Sequence, residues 1–192
     1  MPHGVFNSVR DIPFEELRRL GFKTVIFDKD NTLTDHDSDE ISTDIFKRLT
    51  QVKDIFGRDN LAIFSNNLKV KDIRHKGSYL QDFEVISQYA VHKKPFSYPE
   101  IERLFRDRRG RHIKKEEVII VGDRLLTDIC LANINQMLGL YVLPWDTVNE
   151  QPEIKVSRAV ENFVWSNMMR NRLRKHSNEE VNKLLHPINN RK

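Results

Sequence analysis

Asp28 and Asp30 stand one residue apart at the end of the run Val25-Ile26-Phe27, and Asn31 and Thr32 follow at once. A short apolar run that stops at polar residues reads as a fully buried parallel strand. The C-terminal edge of such strands is where open α/β sheets bind ligands. Two carboxylates that close repel each other unless a proton or a cation intervenes. A hard divalent ion such as magnesium, held by carboxylate and backbone oxygens, would relieve them; the plainer reading is a solvated acidic turn. Further polar groups end further apolar runs: Ser65 with Asn66 after Leu61-Ala62-Ile63-Phe64, and Asp123 after Val118–Gly122, with Asp128 at the start of the helix that follows. Ser-Asn after a strand is also ordinary turn chemistry. Lys94 precedes Pro95, which restricts it to an extended or turn conformation from which its ammonium can project over a strand edge.

In this order the groups resemble the motifs of the haloacid dehalogenase-like phosphatases, in their uncapped form (subfamily IIIA). The longer string Phe27-Asp28-Lys29-Asp30-Asn31-Thr32-Leu33-Thr34 is similar to one branch of them, the phosphatidylglycerophosphate phosphatases of mitochondria, plastids and bacteria. The resemblance covers roughly residues 5–145. It implies a magnesium-dependent phosphatase that makes phosphatidylglycerol on the way to cardiolipin. Asp28 would be the nucleophile, Asp30 the general acid and base, Ser65 a phosphoryl contact and Lys94 the neutralising cation. Lys93 is the fallback for Lys94. Asp28, Asp30 and Asp123 would hold the metal, with Thr32, Asn66 and Asp128 in support and Asp128 orienting Lys94 or a metal-bound water. The family usually continues with a Gly-Asn-Arg-Asn-Gly-like segment, which reads Ala132-Asn133-Ile134-Asn135-Gln136 here. A phosphatase for phosphoprotein or nucleic-acid ends, or a scaffold subunit that keeps the fold, are the alternatives.

The elements that must position these groups can be read from periodicity and punctuation. Phe14, Leu17 and Leu20 before Gly21 predict a short helix, followed by a strand over 22–28. Ser42 or Thr43 caps a helix carrying Ile45, Leu49, Val52 and Phe56 on one stripe and stopped by Gly57. Between them Asp35–Glu40 leaves no room for a cap domain, so the site would be open to bulky substrates. Residues 68–82 read as an irregular helix or loop, and a third strand is expected near 83–87. Ser97-Tyr98-Pro99-Glu100 has the form of a capping box before a helix with Ile101, Leu104 and Phe105 inward. That helix ends in Arg103, Arg106, Arg108, Arg109 and Arg111. Strands at 117–122 and 139–143 complete an α/β domain: a mostly parallel central sheet with helices on both faces. The domain is expected over 1–150, with a basic helical tail over 151–192.

In that tail Val156, Val160, Phe163, Val164 and Met168 recur at helical spacing, and packing of this stripe against the domain is favoured over an interfacial helix on anionic membrane. The chain has 192 residues and a net charge of +4, while 151–192 alone carry nine Lys/Arg against four Asp/Glu. Such a tail suits an anionic membrane surface; a phospholipid substrate is expected and nucleic acid is not. No run of eighteen apolar residues exists to span a membrane. The single cysteine, Cys130, lies between Ile129 and Leu131, reads as a buried thiol, and excludes a disulfide framework. Residues 1–6 show neither a hydrophobic leader nor an Arg-rich presequence. The resemblance implies the matrix side of the mitochondrial inner membrane in a eukaryote, or the cytoplasm in a bacterium.

Overall fold

Every side chain of Thr24–Phe27 and of Val118–Gly122 is buried, as apolar runs without alternation require when both faces of a sheet are covered. These two segments form the middle of a five-stranded sheet in which every pairing is parallel. The computed structural model describes residues 1–66, 73–79, 92–110, 112–145, 152–164, 166 and 173–186. In chain order the elements are β1 (Gly4–Phe6), α1 (Phe14–Arg19), β2 (Thr24–Phe27), α2 (Thr43–Phe56), β3 (Leu61–Ile63), β4 (Arg74–His75), β5 (Ser78–Tyr79), α3 (Tyr98–Arg109), β6 (Val118–Gly122), α4 (Cys130–Ile134), β7 (Leu138–Val142), α5 (Pro152–Val164) and α6 (Glu179–Leu185). The sheet runs β1-β7-β6-β2-β3. The strand expected near 83–87 lies outside the described residues.

Alternation along β2 sends its side chains to two cores. Val25 and Phe27 pack with Phe14, Leu17, Leu49 and Val52 of α1 and α2, and with Val181 of α6. Ile26 faces the other way, with Ile101 and Phe105 of α3 and Leu131 of α4. The three layers expected from the sequence are therefore present. Ser42 caps α2, its Oγ accepting from the Ile45 N–H at 3.3 Å, and Gly57 ends the helix at φ 83°. Residues 28–42 make a tight loop, with Leu33 N–H on the Lys29 carbonyl at 2.8 Å and Thr34 bridging Ile41, and no inserted domain. Among the described residues no helix is long and apolar enough to cross a membrane.

Three local expectations are corrected. Residues 74–79, expected as irregular helix or loop, form the antiparallel hairpin β4–β5. Its turn residues Lys76 and Gly77 both have positive φ (51° and 77°), as a tight hairpin turn demands. The hairpin docks on the 28–42 loop through Arg74 N–H to the Asp39 carbonyl at 2.7 Å and on α2 through a stack of His75 on Phe46. The capping box does not close: Ser97 makes no side-chain cap, and Glu100 Oε1 accepts instead from the main chain of His92 at 3.0 Å and its ring at 2.7 Å. Cys130 is half-buried, because α4 turns its sulfur away from the core that holds its neighbours Ile129 and Leu131. β1 was not anticipated; three residues at a sheet edge give too little pattern to read.

The largest correction concerns the tail. On α5 the apolar residues Val156, Val160 and Phe163 are 67, 50 and 65% exposed, while Arg158 and Glu161 are 6 and 2% exposed. The helix packs its charged face inward and presents its apolar face to solvent.

Candidate active site

Sheet register decides where the chemistry sits. Phe27 lies level with Val121 on one side and Ile63 on the other. Asp28, Gly122-Asp123 and Phe64-Ser65 therefore leave the sheet side by side at its C-terminal edge. The Asp28 N–H donates to the Val121 carbonyl at 2.7 Å, fixing the residue as the chain leaves the ladder. Lys94 enters from the loop ahead of α3. Its Nζ donates to Asp28 Oδ1, to Asp128 Oδ1 at 2.5 Å and to the Phe64 carbonyl at 2.9 Å. Its main-chain N–H donates to Asn66 Oδ1 at 2.9 Å, and its peptide bond to Pro95 is cis.

Asp128 is held from its other side as well. Its Oδ2 accepts from the Arg124 N–H at 3.2 Å and from Thr127 Oγ1 at 3.3 Å. Gly122 makes this possible by close approach: a Cβ there would fall 2.3 Å from the Asp128 carboxyl carbon. Asp123 is gripped by Arg158 of α5, with Nη2 on Oδ2 at 2.6 Å and Nη1 on the Asp123 carbonyl at 3.2 Å.

One ligand oxygen each from Asp28, Asp123 and Asp128 lies within 4.8 Å of the others. Three buried carboxylates thus face two buried cations, Lys94 and Arg158. Burial pushes the Asp28 carboxyl well above its usual range, against the pull of Lys94 and with repulsion from Asp128, Asp123 and Asp30 adding to the rise. Burial likewise lifts Asp123 to about 7, although Arg158 opposes it. Burial acts to lower Lys94, but Asp128 and Asp28 outweigh it and hold the ammonium above its usual range. The cluster is one positive charge short of balance. An all-oxygen donor set with a charge deficit fits a hard divalent cation such as magnesium, and not a metal that seeks thiolate or imidazole.

Asp30 lies outside this grouping. Its Oδ1 accepts from the Asp37 N–H at 3.2 Å and from Lys29 Nζ at 3.3 Å, and its Oδ2 from Ser65 Oγ at 3.4 Å. The structure therefore gathers Asp128, rather than Asp30, with Asp28 and Asp123. Thr32 is buried within the 28–42 loop, and its Oγ1 has no hydrogen-bond partner among the described residues.

With motifs in order and geometry in place, comparison with known proteins decides the family. The profile described as mitochondrial PGP phosphatase matches residues 1–145. The chain belongs to this family. Within it, the chain is similar to phosphatidylglycerophosphate phosphatase 1, chloroplastic/mitochondrial, of Arabidopsis thaliana, at 32% identity over 84% of this chain and 46% of that one. Similarity to the chloroplastic protein of that name from Chlamydomonas reinhardtii is 27% over 85% and 60%. To the mitochondrial phosphatidylglycerophosphatase GEP4 of Saccharomyces cerevisiae it is 28% over 74% and 78%. The chain thus spans about half the length of the first relative and 60% of the second. A solved haloacid dehalogenase-like hydrolase of Brucella suis aligns over 69% of this chain and 64% of its own at 15% identity, with a TM-score of 0.28, too low to carry an argument.

In this PGP phosphatase family member, three residues at the site were not foreseen. Lys29 is fully buried between Asp30 and Asp39, at 3.3 and 3.1 Å, and pins the 28–42 loop. Arg158 and Glu161 come from α5, beyond the matched span. Glu161 Oε1 accepts from the Leu126 N–H and the Arg124 guanidinium, and Oε2 from the Leu125 N–H, all at 3.3 Å. In sequence they were indistinguishable from a solvated polar face. In the segment Ala132–Gln136, Gln136, at the second glycine position, takes φ 59°.

Proposed function

We propose that this chain is a phosphatase that hydrolyses phosphatidylglycerophosphate to phosphatidylglycerol and inorganic phosphate through a phosphoaspartyl intermediate on Asp28. The observation that carries the reading is the buried Asp28 carboxylate, paired with Lys94 at the open edge of a parallel sheet and grouped with Asp123 and Asp128. The relatives, named phosphatidylglycerophosphate phosphatases, support this choice of substrate.

In the first step an Asp28 oxygen attacks phosphorus, and the bond to the glycerol oxygen breaks. Asp30 gives that oxygen a proton. Its contacts with Ser65 and the Asp37 N–H hold it beside, not within, the carboxylate cluster. In the second step water attacks phosphorus, gives its proton to Asp30, and the bond to Asp28 breaks to free phosphate. Lys94 screens Asp28 from the anionic phosphate it must approach. Asp28, Asp123 and Asp128 would hold a magnesium ion, which would supply positive charge against the phosphoryl oxygens.

A lipid substrate is further supported by what surrounds the mouth. Phe96 follows the Lys94 turn, Leu126 follows Asp123, and Leu143 and Trp145 follow β7; all four are exposed. Trp145 Nε1 donates to Asp35 Oδ1 at 2.7 Å, which ties it to the 28–42 loop. With the exposed Val156, Val160 and Phe163 of α5 these are the groups that would seat on an anionic bilayer, helped by the basic tail. The relatives are named as mitochondrial or chloroplastic proteins, and a peripheral position on the matrix side of the mitochondrial inner membrane would bring the site to its lipid.

The test is phosphate release from phosphatidylglycerophosphate in mixed micelles, with and without magnesium, beside Asp28→Asn. Magnesium-dependent release that the variant lacks is expected. Release from a generic phosphate ester but not from the lipid would overturn the substrate, and silence on both would overturn the enzyme.

A further inference from the structure

We infer that α5 is a working part of the active site, in which Arg158 and Glu161 are positioning residues for the Asp123 loop and Arg158 sets how tightly the carboxylate cluster holds a divalent cation. The inference rests on the cation reading of that cluster given above.

A helix that merely packed against the domain would turn Val156, Val160 and Phe163 inward. Burying two charged side chains in their place is unfavourable unless each is fully paired. Here both are paired, and both with the 123–126 loop. Arg158 grips the carboxylate and the main-chain carbonyl of the same residue, Asp123, by two different nitrogens. Such a fork fixes the Asp123 side chain and engages Oδ2, leaving Oδ1 as the oxygen it does not use. Glu161 takes the N–H groups of Leu125 and Leu126 and the guanidinium of Arg124, while the Arg124 main chain holds Asp128. Ser157 joins the same face, with its Oγ 2.5 Å from Arg124 Nη2. The loop that carries one acidic group and orients the next is thus fastened by a helix beyond the part of the chain that the family profile covers.

Two effects on a bound cation follow, of opposite sign. Tethering Asp123 favours binding by sparing the ordering of one side chain. The guanidinium charge, a carboxylate's width away, opposes a divalent ion, and in a buried site this is the larger effect. Arg158 therefore keeps the cluster from holding its cation too tightly, while the fork and Glu161 keep its geometry strict.

The experiment measures Mn2+ binding to the full chain by electron paramagnetic resonance of the free ion, with Mg2+ and Ca2+ as competitors and circular dichroism as a folding check. Arg158→Gln, which keeps amide donors without the charge, should lower the Mn2+ Kd at least tenfold. Arg158→Lys should stay within threefold of the parent. Glu161→Gln leaves the Arg158 charge in place and should narrow the preference for Mg2+ over Ca2+ at least threefold, because a loosened loop accepts the larger ion. Should Arg158→Gln not fold, Arg158→Met replaces it with the same expected shift. A Kd equal to or above the parent's in the uncharged variant overturns the inference, as does an unchanged Mg2+/Ca2+ ratio in Glu161→Gln. A parent chain that binds no Mn2+ overturns the cation reading itself and this inference with it.

Discussion

Replacing Asp28 by Asn should abolish turnover and, in the absence of metal, make the protein more stable. The magnitude follows from the charges. At a separation of 4.8 Å two carboxylates repel by ~3.5 kcal/mol at an effective dielectric constant of ~20. Asp28 therefore faces about 7 kcal/mol from Asp123 and Asp128 together. Lys94, in hydrogen-bond contact, offsets at least about 6 kcal/mol on the same scale, so that the charges nearly cancel and desolvation decides the sign. The variant keeps an acceptor for Lys94 but loses about 1 kcal/mol of charge assistance, and it is spared the desolvation of a buried carboxylate. The balance is a gain of about 1–3 kcal/mol, or a Tm higher by roughly 3–8 °C for a domain of this size. The pH dependence has a definite sign. A carboxyl whose folded pKa is raised, as burial and its neighbours raise Asp28, binds protons in the folded state that the unfolded chain has released. Its charge thus destabilises increasingly as pH rises above the unfolded value of about 4. The advantage of Asp28→Asn should be greatest near pH 8 in chelator and vanish near pH 4. Calorimetry at the two pH values, with and without magnesium, reads it directly. Magnesium should raise the Tm of the parent more than that of the variant. A variant Tm several degrees below the parent at pH 8 in chelator would refute the charge argument, and residual full turnover would refute the nucleophile.

Other perturbations isolate other parts. Gly122→Ala forces a methyl group against the Asp128 carboxyl; chemical denaturation should show a loss of about 2–3 kcal/mol, with turnover lost as Asp128 leaves Lys94. Ser65→Ala removes a hydroxyl at the strand edge beside Asp30, and steady-state kinetics should show kcat lower by ~10²-fold with the Tm little changed. Val160→Asp places a charge on the outward face of α5, where the side chain is half exposed; sedimentation with anionic liposomes should fall at least fivefold, while stability stays within about 0.5 kcal/mol.

The central strands and the groups at their ends were legible because buried parallel strands are unbroken apolar runs, and the chemistry begins where each run stops. Asp28, Ser65 and Asp123 were found that way, and Pro95 marked Lys94. What escaped was decided by partners far away in sequence. Glu100 looked like a capping residue until His92, brought near by the loop, offered it a better donor. The β4–β5 hairpin turns on Lys76-Gly77, which carries none of the Asn-Gly or Asp-Gly signature of such turns. The helix α5 was given the right elements and the wrong face. Its periodicity marks an apolar stripe, but nothing local reveals that an acidic loop and its free N–H groups await the other side. Asp128 contacts Lys94 as expected, but it also joins Asp28 and Asp123, because Gly122 leaves it room while Lys29 and Ser65 hold Asp30 aside.

The order of strands in the sheet also governs how the chain can be assembled. Among the described strands β1 is separated from its partner β7 by almost the whole domain, and β2 must wait for β6 across most of it. Val181 of α6 joins the same core later still. Contacts so distant along the chain make folding slow, because long loops must close before any pairing rewards them. During synthesis the apolar strands β2 and β3 can pair with each other, but one edge of β2 stays open until β6 emerges. The nascent protein therefore passes through a stage with an unguarded sheet edge, the stage at which chaperone binding or self-association competes with completion of the fold.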